Sequence, residues 1–183
     1  IGVGQTTHIR DLDESDSDDA LPDGPIIVIV PQEYDFEKAA DILAQALEAG
    51  VEIKAGIVQG DDGVLIANRL PETLPFVDEV AHIEKVPLDM LAAVEVAPPG
   101  QAVQQLSNPY GIATLFSLSS DETGQVIPIA KALIGLRSAV VIRTPESDVE
   151  SKEIPAGSIT FMGENENLSV ELEHGADAIM ETL

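Results

Sequence analysis

Five consecutive β-branched residues, Ile26 to Val30, stand between Pro25 and Pro31. Such a run reads as a strand buried on both faces, and the prolines mark its ends because they have no N–H to give to a ladder. Asp35 is placed to cap a helix opening at Phe36. In that helix Ala39, Ile42, Leu43, Ala46 and Leu47 recur at intervals of three and four, and Gly50 closes the last turn. Val51 to Val58 is a second apolar run. Strand, crossover helix and strand make a β-α-β unit with a parallel pair, so an α/β or mixed domain is expected.

The stretch before this unit, Asp11 to Gly24 (DLDESDSDDALPDG), has almost nothing to bury and reads as a solvated loop. Residues 1–24 are accordingly assigned to a flexible acidic segment and 25–183 to a single domain. Beyond the β-α-β unit, Gly60, Asp61, Asp62 and Gly63 read as a turn into a strand-like run, Val64 to Ala67. Prolines at 71, 75, 87, 98 and 99 then punctuate short apolar stretches, of which Leu91 to Ala97 fits either a strand or a short helix. Ser107 to Gly111 reads as a shaped loop. Ser120 is placed to cap a helix over Asp121 to Gly135, kinked or delayed by Pro128. Ser138 to Arg143 is a buried strand stopped by Pro145. Ser158 to Met162 and Leu168 to Leu172 flank GENEN as a hairpin, and a helix over Ala176 to Leu183 ends the chain.

Charge narrows the function classes. The 33 Asp and Glu against 9 Lys and Arg give a formal net charge of −24 over 183 residues. That field repels phosphate backbones and anionic membranes, so neither nucleic acid nor membrane is an expected partner. It suits a salt-rich cytoplasm, in which counterions screen the self-repulsion. With no cysteine there is no disulfide, thiolate nucleophile or zinc–thiolate site. Without a leader or an apolar run of membrane-spanning length, the chain is expected to be soluble and cytoplasmic. The start at Ile1 rather than Met suggests a piece cut from a longer chain.

Six blocks, in this order and spacing, carry a family resemblance: QGDDGVLIANRL (Gln59 to Leu70), LPFVDEV (Leu74 to Val80), PLDMLAAVEVAPPG (Pro87 to Gly100), LSNPYGIAT (Leu106 to Thr114), ALIGLRSAVVIRTP (Ala132 to Pro145) and EIPAGSI (Glu153 to Ile159). Together they resemble the swiveling domain of the large subunit of the diol and glycerol dehydratase reactivating factors. The resemblance implies a three-layer β/β/α domain with one parallel and one antiparallel sheet. It implies a chaperone-like factor that uses ATP to release damaged cobalamin from adenosylcobalamin-dependent diol or glycerol dehydratase, its client. The ATP chemistry is expected only in the full-length factor, since no phosphate-binding loop is visible in this chain. This domain is expected to dock the factor's small subunit and to have no catalytic residue of its own.

The same resemblance assigns Asp61 and Asp78 to a site for Mg2+ or Ca2+ near the small-subunit interface; such cations favour carboxylate oxygens. In the family an upstream threonine completes the site, and that stretch lies before Ile1, so a weak or incomplete site is expected. Read without the resemblance, Asp61 is a turn residue and Asp78 an exposed strand residue. Asp62 is expected to face solvent or cap the turn. A rival reading makes the chain a small metal-dependent hydrolase using Asp61, Asp78 and Glu79, although no set of base and oxyanion groups accompanies them. Tyr110 is a candidate interface residue, and Lys131 and Arg137 either pair with nearby carboxylates or meet the partner. His8, His82 and His174 have no metal-binding or catalytic spacing and read as incidental.

Overall fold

The computed structural model describes residues 1–13, 23–145, 158–162 and 167–171. They belong to two compact units, Ile1–Pro145 and Glu146–Leu183. The first unit holds a six-stranded sheet in the order β4-β3-β2-β1-β5-β6. Its strands are β1 (Gly2–His8), β2 (Ile26–Val30), β3 (Ile53–Val58), β4 (Phe76–Val77), β5 (Leu91–Val96) and β6 (Ser138–Ile142). β1 to β4 pair in parallel, while β5 is antiparallel to both β1 and β6. The parallel and antiparallel components are thus the two halves of one mixed sheet. In the second unit β7 (Ser158–Met162) and β8 (Asn167–Glu171) form the expected antiparallel hairpin. The expected terminal helix lies outside the described residues.

The β-α-β unit is built as the sequence dictates. Every residue of β2 is buried. α1 (Phe36–Glu48) follows it, and the Asp35 carboxylate accepts the N–H groups of Glu37 and Lys38 at 2.9 and 3.0 Å. Ala39, Leu43 and Ala46 of α1 pack on Ile26, Val28 and Val30. Strand alternation sends Ile27 and Ile29 to the other face, where they meet Ala55, Ile57, Ala92 and Val94 beneath Ile83. Residues paired across strands share a face, so the links Thr7 to Val28 and Val3 to Ala93 put Ala93 on the α1 side. There Ala93 packs with Ile112, Phe116 and Ala130 of α3 (Pro109–Phe116) and α5 (Ile127–Ala132). The helices therefore cover one face of the sheet.

Three expectations need correction. The packed chain does not begin after Gly24, because Gly2–His8 is a central strand flanked by β2 and β5. Its polar residues disguised it: Thr6 is fully buried, its hydroxyl donating to the Pro87 carbonyl at 2.6 Å and accepting the Met90 N–H at 3.0 Å. Gly4 permits the close pairing, since a Cβ there would stand 2.5 Å from the Pro25 carbonyl oxygen. Residues 14–22 of the acidic stretch lie outside the described residues. Second, Val64–Ala67 is not a strand but most of the helix α2 (Gly63–Ala67); only Ile66 of its large residues is buried, against the α1 side of the core. Third, Ser107–Gly111 is a shaped loop only as far as Asn108, and Pro109–Gly111 form the first turn of α3. The Asn108 side chain accepts the Tyr110 N–H at 3.0 Å and Pro109 opens the helix. The Pro128 break is present, separating α4 (Ser120–Gln125) from α5.

α3 is tied to the sheet by one buried carboxylate. Glu95 on β5 accepts N–H groups from Gln104 (2.8 Å), Gln105 (3.1 Å) and Leu106 (2.8 Å), fixing the turn that leads into the helix. Arg143, just past β6, donates to the Phe116 carbonyl at 3.0 Å and to Glu122 at 2.8 Å, which fastens α3 and α4 to the sheet's far edge.

Candidate functional site

Asp61 lies in the turn between β3 and α2, and Asp78 directly follows β4. Sixteen residues separate them in sequence, yet their connections are stitched together. The Glu79 N–H donates to the Gly60 carbonyl at 2.9 Å, and the Val80 N–H to the Val58 carbonyl at 3.1 Å. Each aspartate is one residue from the first of these bonds. β4 is parallel to β3, so both chains leave the sheet at the same end. Glu79 takes a left-handed conformation, φ 55°, which turns the chain sharply after Asp78. The Asp78 carboxylate lies against Gly63: a Cβ on that glycine would stand 3.0 Å from Asp78 Oδ2. Asp61 is exposed and Asp78 half-buried.

Neighbouring acids behave differently. Asp62 occupies the position before α2 but makes no side-chain capping bond; its carbonyl accepts the Ile66 N–H at 3.0 Å. Glu79 is exposed. Among the described residues no group of three or more His, Asp and Glu side chains gathers as a metal cage. Two carboxylates on adjoining loops fit part of the coordination of a hard cation, which takes six or more oxygens and fills the remainder with water or other donors.

At the carboxyl ends of the parallel strands a crevice of about 430 Å3 opens, where sheets of this type receive ligands. His8, Glu33, Gln59 and Glu84 give it polar walls. His8 Nδ1 accepts the Arg10 N–H at 3.1 Å, so the neutral ring carries its proton on Nε2. Burial, with help from the Arg10 charge, holds the ring's pKa below the usual histidine value. Sequence spacing had given His8 no role, and only the strand order brings it to this crevice. His82 sits in an exposed turn 3.3 Å from Glu84, and His174 lies outside the described residues.

The remaining candidates lie in the antiparallel half. Tyr110 is 74% exposed in the first turn of α3. Pairing of Lys131 and Arg137 with nearby carboxylates is not found: neither forms an ion pair with a described residue, whereas Arg143 pairs with Glu122.

Comparison with known proteins places this architecture. Residues 1–149 match the family model described as the DD-reactivating factor swiveling domain. The propanediol dehydratase-reactivating factor large subunit of Citrobacter freundii is 45% identical over all 183 residues. The diol dehydratase-reactivating factor large subunit of Klebsiella michiganensis is 48% identical over 161 residues, 88% of this chain. The chain spans 29% and 26% of those two relatives' lengths. Among solved structures, diol dehydratase-reactivating factor in its nucleotide-free form superposes with a TM-score of 0.74 at 46% identity, over 98% of this chain and 29% of that one. Glycerol dehydratase reactivase does so with a TM-score of 0.73 at 48% identity, over the same shares of each chain. By family match and by relatives that align along its whole length, this chain belongs to the DD-reactivating factor swiveling domains.

Proposed function

We propose that this chain is the docking module of a reactivating factor for an adenosylcobalamin-dependent diol or glycerol dehydratase. It grips the factor's small subunit and moves as a rigid body. ATP hydrolysis, in other parts of the full-length large subunit, drives the release of damaged cobalamin from the dehydratase client in the cytoplasm. The names of its relatives support the client, and the family match supports the domain's place in the factor. The chain itself contributes surface rather than bond-making groups.

In this reading Asp61 and Asp78 hold one Mg2+ or Ca2+ at the rim of the docking surface. The observation that carries it is the hydrogen bond from Glu79 N–H to Gly60 O, which keeps the two aspartate-bearing loops together without help from a ligand. The cation would supply a positive charge on an otherwise acidic surface and leave coordination positions for oxygens of the partner. No observation favours the hydrolase alternative: among the described residues no third histidine or carboxylate gathers with the pair, and Glu79 is exposed.

The test is a capture experiment with purified small subunit together with calorimetric titration of Mg2+ and Ca2+ into the 183-residue chain. The expected result is capture of the small subunit, and binding heat that Asp61→Ala abolishes. Identical titrations for the chain and its Asp61→Ala variant would remove the metal assignment, and failure of capture would remove the docking role.

A further inference from the structure

Docking at Asp61 and Asp78 makes no use of the crevice at the carboxyl ends of the parallel strands. At about 430 Å3 it falls within the size range of ligand pockets. Its apolar lining belongs to the face of the sheet opposite α1, where Ile29 and Ile83 are buried and Val86 and Leu88 half-buried. Two hydrogen-bond donors stand among its polar walls, each fixed by a backbone N–H. The Arg10 N–H occupies Nδ1 of His8, so Nε2–H is the polar group that the ring has left to offer. The Gln32 N–H occupies Oε1 of Gln59 at 3.1 Å, which leaves the Gln59 side chain its NH2. Glu33 and Glu84 add exposed carboxylates, and neither pairs with a described Lys or Arg. Nor does any described Lys or Arg line the crevice.

We propose that this crevice binds an extended segment of a partner polypeptide that carries an arginine or lysine. Three features of the lining select that chemistry. Two carboxylates, in a chain of net charge −24, repel an anion and attract a cation. The two fixed donors call for acceptor oxygens, which an amine or polyamine lacks and a peptide backbone supplies as carbonyls. The apolar lining suits the methylene stem of a long basic side chain, which buries its carbons while its charged end stays among carboxylates and water. Backbone carbonyls thus face His8 and Gln59, and the guanidinium or ammonium group meets Glu33 and Glu84 in charge-assisted hydrogen bonds. A transition-metal ion fits poorly, since Nε2 of His8 carries a proton in the tautomer that the Arg10 N–H imposes. The inference does not rest on the cation assignment, because neither Asp61 nor Asp78 lines the crevice.

Titration of the 183-residue chain with acetyl-leucyl-arginyl-leucine amide, followed by amide and imidazole NMR shifts, tests it. The salt is about 0.15 M, where a screening length of about 8 Å damps long-range attraction. The expected Kd is about 1 mM or tighter, with shifts centred on His8 and Gln59. Glu33→Gln and Glu84→Gln together should weaken binding about tenfold. Asp41→Asn, which removes a charge from an exposed site on α1, should leave it unchanged. Butylguanidinium, which has the cation and stem of arginine but no carbonyl, should bind about tenfold more weakly than the peptide. The same peptide with glutamate in place of arginine should not bind. Absence of binding by the arginine peptide overturns the proposal. So do equal losses in Asp41→Asn and the Glu33, Glu84 double variant, which would mean diffuse charge attraction, or equal affinities for butylguanidinium and the peptide.

Discussion

The two halves of the sheet are held together by different physics. The parallel half, β2 and β3 under α1, rests on contiguous aliphatic runs and a capped amphipathic helix, all contained in residues 26–58. The antiparallel half, β5 and β6 under α3 to α5, has short helices that cannot stand on propensity alone. They are pinned by polar contacts between residues far apart in the sequence: Glu95 to the turn before α3, and Arg143 to α3 and α4. The difference teaches where function can sit. The locally determined half presents stitched loops with carboxylates at its strand ends, while the half assembled from distant contacts presents a nearly neutral apolar surface.

The comparison breaks most directly at Glu95. Its alanine variant leaves three N–H groups without their charged acceptor, and a loss of about 3 kcal/mol is expected, measurable by urea unfolding. The damage should be uneven: hydrogen exchange should accelerate in α3 to α5 while β2 and β3 remain protected. Equal acceleration in both halves would mean that they do not differ as described. The pH dependence gives a second arm. Burial pushes the Glu95 carboxyl up, but the N–H groups of Leu106, Gln104 and Gln105 outweigh it and hold the net value below the ordinary one. The unfolded chain therefore takes up the proton first. The stabilisation is complete above the ordinary carboxyl range and is lost as pH falls through the depressed folded value. Glu95→Gln should flatten the acid side of the stability profile.

A smaller effect sharpens the other side of the comparison. Asp35→Ala removes the cap of α1 and should cost about 1 kcal/mol, seen as a lowered denaturation midpoint with an unchanged slope. Because α1 is also held by Ala39, Leu43 and Ala46 against the sheet, the helix should persist. Melting of α1 in the folded state would show that the local half depends on its cap more than on packing.

The contrast also explains what the sequence disclosed. The Ile26–Val30 run, the Asp35 cap and the spacing of α1 are local signals, and they predicted the parallel pair in place. β1 escaped because GVGQTTH has no apolar period; its burial depends on Thr6 finding the Pro87 carbonyl and the Met90 N–H more than eighty residues away. Val64–Ala67 looked like a strand because β-branched and aliphatic residues dominate a run too short to show a helical repeat. The start of α3 was legible, since Asn108 before Pro109 is a helix-entry signal, but the same residues favour turns. As for the site, family motifs singled out Asp61 and Asp78, and the sequence alone gave no hint that Gly60 and Glu79 join their loops. The crevice at His8 was invisible for the same reason, being made by strand order.

The most direct test of the docking account is the affinity of the small subunit for this chain and for its Asp61→Ala, Asp78→Ala double variant, each measured with divalent cation and again with chelator. The account predicts that chelation weakens the wild-type complex about tenfold or more, and that the double variant binds weakly and ignores the chelator. Equal affinities for the two proteins, or the same chelator effect in both, would contradict it.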